Sequence, residues 1–201
     1  MTAPPDVVTD DATVIERSRH DPDRFAVIYD RYFPEIYHYV AARLGRDVAD
    51  DIAAETFYAA FRKRDRFDPA RGAVRPWLYG IATNLVGGHR RAESRRYTAL
   101  ARAAADPRAA EQRADGHEAR VAARVAAEGV RPQLAAALTA LSDGDRDVLL
   151  LVAISGLPYE EVAQALEIPV GTVGSRMNRA RRRLREALGG TDPTRAEESH
   201  G

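Results

Sequence analysis

Six arginines crowd one short stretch near the C-terminus: Arg176, Arg179, Arg181, Arg182, Arg183 and Arg185, with only Glu186 of opposite sign beside them. A guanidinium donates hydrogen bonds in a fixed planar fork that matches guanine or phosphate, so this stretch suits a polyanion. Arg90, Arg91, Arg95 and Arg96 make a second cluster, answered mainly by Glu93. Two basic helices imply two contacts with a nucleic acid; the plainer alternative is that each is a solvated polar face.

The first cluster falls in a pattern that positions it. Leu157 to Leu188 read as two helices joined by a turn. Close packing of such a pair needs a small residue midway along the first helix and a branched apolar residue early in the second, and Ala163 and Val173 supply them. Val173, Met177, Ala180 and Leu184 recur at helical spacing and form the inward stripe. Thr172, Ser175, Arg176, Arg179 and Arg183 then point outward, where they can reach base edges or phosphates. A helical hairpin with a merely polar surface is the alternative. In the earlier cluster, Asn84, His89, Arg90 and Arg91 can track a phosphate backbone. Trp77 can stack on an unpaired base or, at helical spacing with Leu78 and Ile81, belong to a core.

Catalytic patterns fail on inspection. His20, His38, His89, His117 and His200 are scattered, with no spacing that would gather metal ligands on one helical face. Asp50, Asp51 and Glu55 resemble a pair of acids, yet at a helix start they suit the helix dipole or a basic partner. Gly87-Gly88 has no preceding strand and makes no phosphate loop. No catalytic residue, metal, cofactor or small-molecule substrate is expected.

The wider chain fits a protein that binds and does not catalyse. Its 201 residues suffice for one ordinary domain or two small ones, its formal net charge is zero, and it has no cysteine. The longest apolar run, Val148 to Ile154, is far short of the roughly 20 residues a membrane span needs, and Met1 to Asp11 lacks the zones of a signal peptide. A soluble, cytoplasmic protein is expected.

The elements that must position these residues are all helical. Phe25, Ile28, Tyr29, Tyr32, Phe33, Ile36, Tyr37, Val40 and Leu44 mark an amphipathic helix that ends at Gly45, with Pro34 expected to kink it or start a second segment. Asp47 is placed to cap the next helix, which carries Ile52, Phe57, Ala60 and Phe61. After the turn residues Asp68 to Gly72, Pro76 opens a third helix containing Trp77, Leu78, Ile81 and Leu85. A later unit begins at Arg131-Pro132, and Ser142-Asp143 caps its second helix. The fold class expected is all-α: two small helical domains joined by a linker, the second a four-helix unit with a helix-turn-helix. The boundaries expected are 1–20 as a mobile N-terminal segment, 21–96 and 131–188 as the domains, 97–130 as the linker and 189–201 as a tail.

Three segments together, Asp50 to Phe57, Arg75 to Leu85 and Ile168 to Val173, resemble bacterial RNA polymerase sigma factors of the extracytoplasmic-function (ECF) group. The resemblance makes 21–96 sigma region two and 131–188 region four. It implies an adaptor that docks on core polymerase and confers promoter selectivity. Asp51, Glu55, Phe57 and Arg62 would meet the polymerase clamp helices. The Asp68 to Val74 loop and the helix after it would capture an unpaired base of the minus-ten element, with Trp77, Asn84, His89, Arg90 and Arg91 as contacts. Thr172, Ser175, Arg176 and Arg179 would read the minus-thirty-five element, while an apolar groove takes the flap tip. An anti-sigma protein wedged between the domains would be a further partner.

The chain departs from the family pattern at four places. Glu167 stands where glycine is usual after the first helix of the motif, at roughly 1 kcal/mol if that position is left-handed. Pro158 replaces a common serine cap, Gly174 replaces a frequent arginine, and Gly87-Gly88 interrupts the strand-reading helix. Two other readings stay open on the sequence. A stand-alone helix-turn-helix regulator would leave 21–96 unexplained, and an interaction protein would use the same helices to hold another protein.

Overall fold

The computed structural model describes residues 10–103 and 132–188, and all regular structure among them is helical. The chain divides into two compact units, the first built on the described residues up to Leu85 and the second on most of those from Val86 onward. The segments expected as tails before residue 10 and after 188, and as linker over 104–130, lie outside the described residues.

The first unit holds α1 (Asp11–Ser18), α2 (Ala26–Leu44), α3 (Ala49–Lys63) and the start of α4 (Val74–Ala103), a helix that runs on past Leu85. Helix α1 corrects the expectation that residues up to 20 are mobile. Its eight residues are too few to be a stable helix alone. They are held because Val14 and Ile15 are buried and because the Asp11 carboxylate accepts hydrogen bonds from Arg31 and the Tyr32 hydroxyl on α2. Burial and that carboxylate both push the pKa of Tyr32 upward. At the other end Arg64 Nε donates to the Ser18 carbonyl at 3.2 Å, and Arg19 Nη2 donates to the Phe67 carbonyl at 2.9 Å.

Ile28, Tyr32, Ile36, Tyr39 and Val40 on α2 are buried with Ile52, Ala53, Phe57 and Ala60 on α3, the three-and-four spacing of one apolar stripe per helix. Pro34 starts no second helix; α2 runs through it, because apolar burial on both sides outweighs the roughly 3 kcal/mol that an interior proline costs. Gly45, with φ 85°, ends α2 as expected. Asp47 does not cap α3: it lies in a short 3-10 turn, Arg46–Val48, and Val48 holds the cap position without a side-chain bond. Helix α4 begins at Val74, which puts Pro76 in its first turn, where no intrahelical N–H is lost. It passes through Gly87-Gly88 unbroken and reaches Ala103, so the helix extends into the expected linker. A buried polar chain ties α2 to α4: Arg43 Nη1 donates to the Tyr39 hydroxyl at 2.7 Å, and that hydroxyl meets Thr83 Oγ1 at 2.8 Å.

Among the described residues the second unit carries the later part of α4 and then α5 (Pro132–Thr139), α6 (Asp143–Ala153), most of α7 (Tyr159–Leu166) and α8 (Val170–Ala187). Leu141, Val148, Leu151, Leu157, Val162, Val173, Met177 and Ala180 are buried. Ser142 caps α6 as expected, its Oγ accepting from the Asp145 amide at 3.3 Å. Arg146 is 8 % exposed and closes the end of α5, donating to the carbonyls of Leu138, Thr139 and Leu141 at 2.8, 2.6 and 2.7 Å. The Leu138 carbonyl also accepts from the Leu141 amide at 3.3 Å, so Arg146 adds to the backbone bonding that ends the helix.

Helix α7 ends in a Schellman motif. The Ile168 amide donates to the Ala163 carbonyl at 3.0 Å and the Glu167 amide to the Gln164 carbonyl at 3.2 Å. Glu167 sits at the left-handed position with φ 53°, so the strain expected there is present, about 1 kcal/mol.

Candidate nucleic-acid interface

Helix α8 divides into two faces. Val173, Met177 and Ala180 are buried, while Ser175, Arg179, Arg181, Arg182 and Arg183 are exposed and Thr172 and Arg176 are half-buried. The four residues expected to read DNA therefore share one side of the helix. They are not equally free. Ser175 Oγ donates to the Thr172 carbonyl at 3.0 Å. Arg176 lies across the first turn of α6: a Cβ at Gly144 would come within 2.8 Å of its Nη1 and 2.9 Å of its Cζ. Glycine at 144 is what leaves the guanidinium room.

Arg179 is anchored on the same turn. Its Nη2 and Nε donate to the two carboxylate oxygens of Asp145 at 2.9 and 3.3 Å. Asp145 is 2 % exposed, whereas the Arg179 side chain is 46 % exposed. The Arg179 hydrogen bonds, with Ser142 and the charge of Arg183 adding to them, hold the Asp145 carboxyl below the usual carboxylate range against its own desolvation. A lowered acid contributes stability that is complete above the usual carboxylate range and is lost as the pH falls through the folded value. Unfolding midpoints of the wild type and of Asp145→Asn are accordingly expected to converge on acidification, as read by circular dichroism.

On α4, Asn84, Arg91 and Arg95 are exposed and follow one another at spacings of seven and four, which keeps them on one helical face. His89 and Arg90 are half-buried, and His89 Nδ1 lies 3.7 Å from a Glu93 carboxylate oxygen. Trp77 is half-buried, its ring against that of the buried Phe67 with centroids 5.0 Å apart.

Helix α3 carries a third surface. Asp51, Glu55, Tyr58 and Arg62 are all exposed, and their spacing of four, three and four sets them in one stripe. Arg62 Nη1 donates to the Tyr58 hydroxyl at 3.4 Å. Phe57 does not belong to this surface. It is 3 % exposed and packs on Tyr29 and Phe33, with centroids 5.0 and 6.0 Å apart, because its position falls on the inward stripe with Ala53 and Ala60. The exposed aromatic is its neighbour Tyr58, at 61 %. The 51-55-58-62 spacing was the signal for it.

Known proteins share both units. The family model of sigma-70 region 2 matches residues 28–96, and that of sigma-70 region 4 matches residues 131–184. The chain is 35% identical over 181 residues to the ECF RNA polymerase sigma factor SigW of Bacillus subtilis, covering 84% of this chain and 90% of that one. It is 31% identical over 191 residues to the ECF RNA polymerase sigma factor SigK of Mycobacterium tuberculosis, covering 94% and 98%. Among solved structures, CnrH in complex with the cytosolic domain of CnrY is similar with a TM-score of 0.60 and 24% identity, covering 90% of this chain and 99% of that one. The sigma factor RpoE of Bartonella quintana, solved with the anti-sigma factor NepR, gives 0.57 at 22% identity, covering 84% and 98%. These two likenesses show the fold. With both sigma regions matched in order, and with relatives above 30% identity aligned over most of their length, the chain belongs to the ECF group of RNA polymerase sigma factors.

Proposed function

We propose that this chain binds the RNA polymerase core and directs it to promoters, without catalysing a reaction itself. One observation carries the reading: a single chain presents an acidic and aromatic stripe on α3 together with arginine-rich faces on α4 and α8. Asp51, Glu55, Tyr58 and Arg62 dock on the clamp helices, with Phe57 backing them from the core. The Asp68–Ala73 loop receives an unpaired base of the minus-ten element. Asn84, His89, Arg90 and Arg91 hold the strand beside it, and Trp77 supports the loop. Flipping a base costs a few kcal/mol, which cationic and stacking contacts offset. Thr172, Ser175, Arg176 and Arg179 face the minus-thirty-five element, and the flap tip takes the apolar groove of the second unit. This work is done in the cytoplasm. CnrH was solved with the cytosolic domain of CnrY and RpoE with the anti-sigma factor NepR, and an anti-sigma protein is the further partner proposed for this chain.

A stand-alone regulator would need only the second unit. The two readings separate in a gel-shift titration of genomic fragments. Specific retention that requires both core polymerase and this chain supports the sigma reading, whereas tight, specific binding by the chain alone contradicts it.

Gly174 gives a further expectation. A Cβ there meets nothing within 4 Å, so Gly174→Arg fits. It should raise helix stability by about 1 kcal/mol. Promoter binding should tighten, and the slope of log affinity against log salt should steepen by about one counterion. An unchanged slope in a salt titration would remove position 174 from the phosphate-facing side.

A further inference from the structure

Two of the four residues assigned to the minus-thirty-five element lean on one turn of a different helix. Arg179 reaches the carboxylate of Asp145, and Arg176 lies over Gly144. The Arg179 contact uses the Nε and Nη2 edge of the guanidinium, and a guanidinium has a second edge, Nη1 with Nη2, pointing elsewhere. That second edge is the one that can meet guanine O6 and N7 together. A long arginine side chain on a helix surface otherwise samples many rotamers, so fixing one edge removes the disorder that would blur recognition by the other. The carboxylate that fixes it is itself fixed: Asp145 is 2 % exposed, its amide is bonded to Ser142 Oγ, and it lies in the first turn of α6.

We infer that Asp145 is a specificity-determining positioning residue, which aims Arg179 at one base pair of the minus-thirty-five element while touching no DNA itself. This rests on the proposed sigma function. It makes Asp145 matter for which base is preferred, and matter little for how strongly phosphates are held, since the arginine charge stays in place when the carboxylate is removed.

The test uses the full chain bound to core polymerase and a promoter duplex selected by that holoenzyme, with every single base-pair variant of its minus-thirty-five element. Competition binding is read for wild type, Asp145→Asn, Arg179→Ala and the double variant. Arg179→Ala should abolish a preference of about tenfold or more at one base pair. Asp145→Asn should abolish most of the preference at that same base pair, leave the salt slope unchanged, and add nothing in the Arg179→Ala background. Arg179→Lys, which keeps the charge but not the two-edged fork, should behave like Asp145→Asn and serves if that variant folds poorly. An Asp145 that is merely structural would weaken all sequences equally and overturn the inference. So would a flattened preference in Arg179→Ala with an intact one in Asp145→Asn, and the sigma reading would then stand. No change of preference in Arg179→Ala overturns the inference together with the role of Arg179. Failure of the wild-type holoenzyme to select any promoter is the separate result that removes the sigma reading.

Discussion

Asp51→Lys combined with Glu55→Lys is expected to weaken binding to core polymerase by about 100-fold, because like charges set against a complementary partner cost several kcal/mol. The two carboxylates are exposed and lie on one stripe of α3 with Tyr58 and Arg62. The fold should survive. Exposed substitutions of this kind stay within a few tenths of a kcal/mol, and placing a cation at Asp51 in the first turn adds about 1 kcal/mol through the helix dipole. Size-exclusion co-migration with core polymerase, with circular dichroism as the control for folding, reads both. Adjacent aromatics sharpen the test. Tyr58→Ala should lose core binding with little loss of stability, whereas Phe57→Ala should lose about 3 kcal/mol or more of stability from a buried site. Equal behaviour of the two would contradict the phase assigned to α3.

Arg146→Ala is expected to destabilise the second unit by about 3 kcal/mol, since one substitution removes three charge-assisted hydrogen bonds, to the carbonyls of Leu138, Thr139 and Leu141, the last of them buried. A unit this small has a net stability of only about 5 kcal/mol, so the change consumes much of it. Arg146→Lys should restore a minor part, because an ammonium on a flexible stem cannot serve three acceptors in the geometry of a planar fork. Thermal unfolding should then show an early transition confined to the second unit. Core binding through α3 should persist, and initiation that depends on a minus-thirty-five element should fall. A single unshifted transition would mean that these carbonyls find other donors.

Much of this was legible in the sequence because it is written in local periodicity. The apolar stripes of α2, α3 and α8, the stop at Gly45, the Ser142 cap and the strained Glu167 each follow from residues within a few positions of one another. What escaped depends on longer separations or on helical phase. Helix α1 has little pattern of its own and is held by Arg31 and Tyr32 from α2. Phe57 and Tyr58 are neighbours about 100° apart on a helix, so a motif that contains both cannot say which is outside until the inward stripe is fixed. Arg146 sits among Asp143, Asp145 and Asp147 and reads as one more surface charge; only the end of α5 explains it. The Asp145–Arg179 pair joins residues 34 positions apart, a separation that no spacing rule covers. Periodicity put Arg179 on the exposed side of α8, and packing engages one of its edges.

Both units of the chain are proposed to serve one polymerase-dependent act. The decisive experiment is in vitro transcription with core polymerase on a library of genomic fragments, mapping RNA 5′ ends with and without this chain. New, discrete start sites are expected that share a minus-ten and a minus-thirty-five element, that appear only with both proteins present, and that vanish with Asp51→Lys/Glu55→Lys. Start sites unchanged by addition of the chain would contradict that proposal.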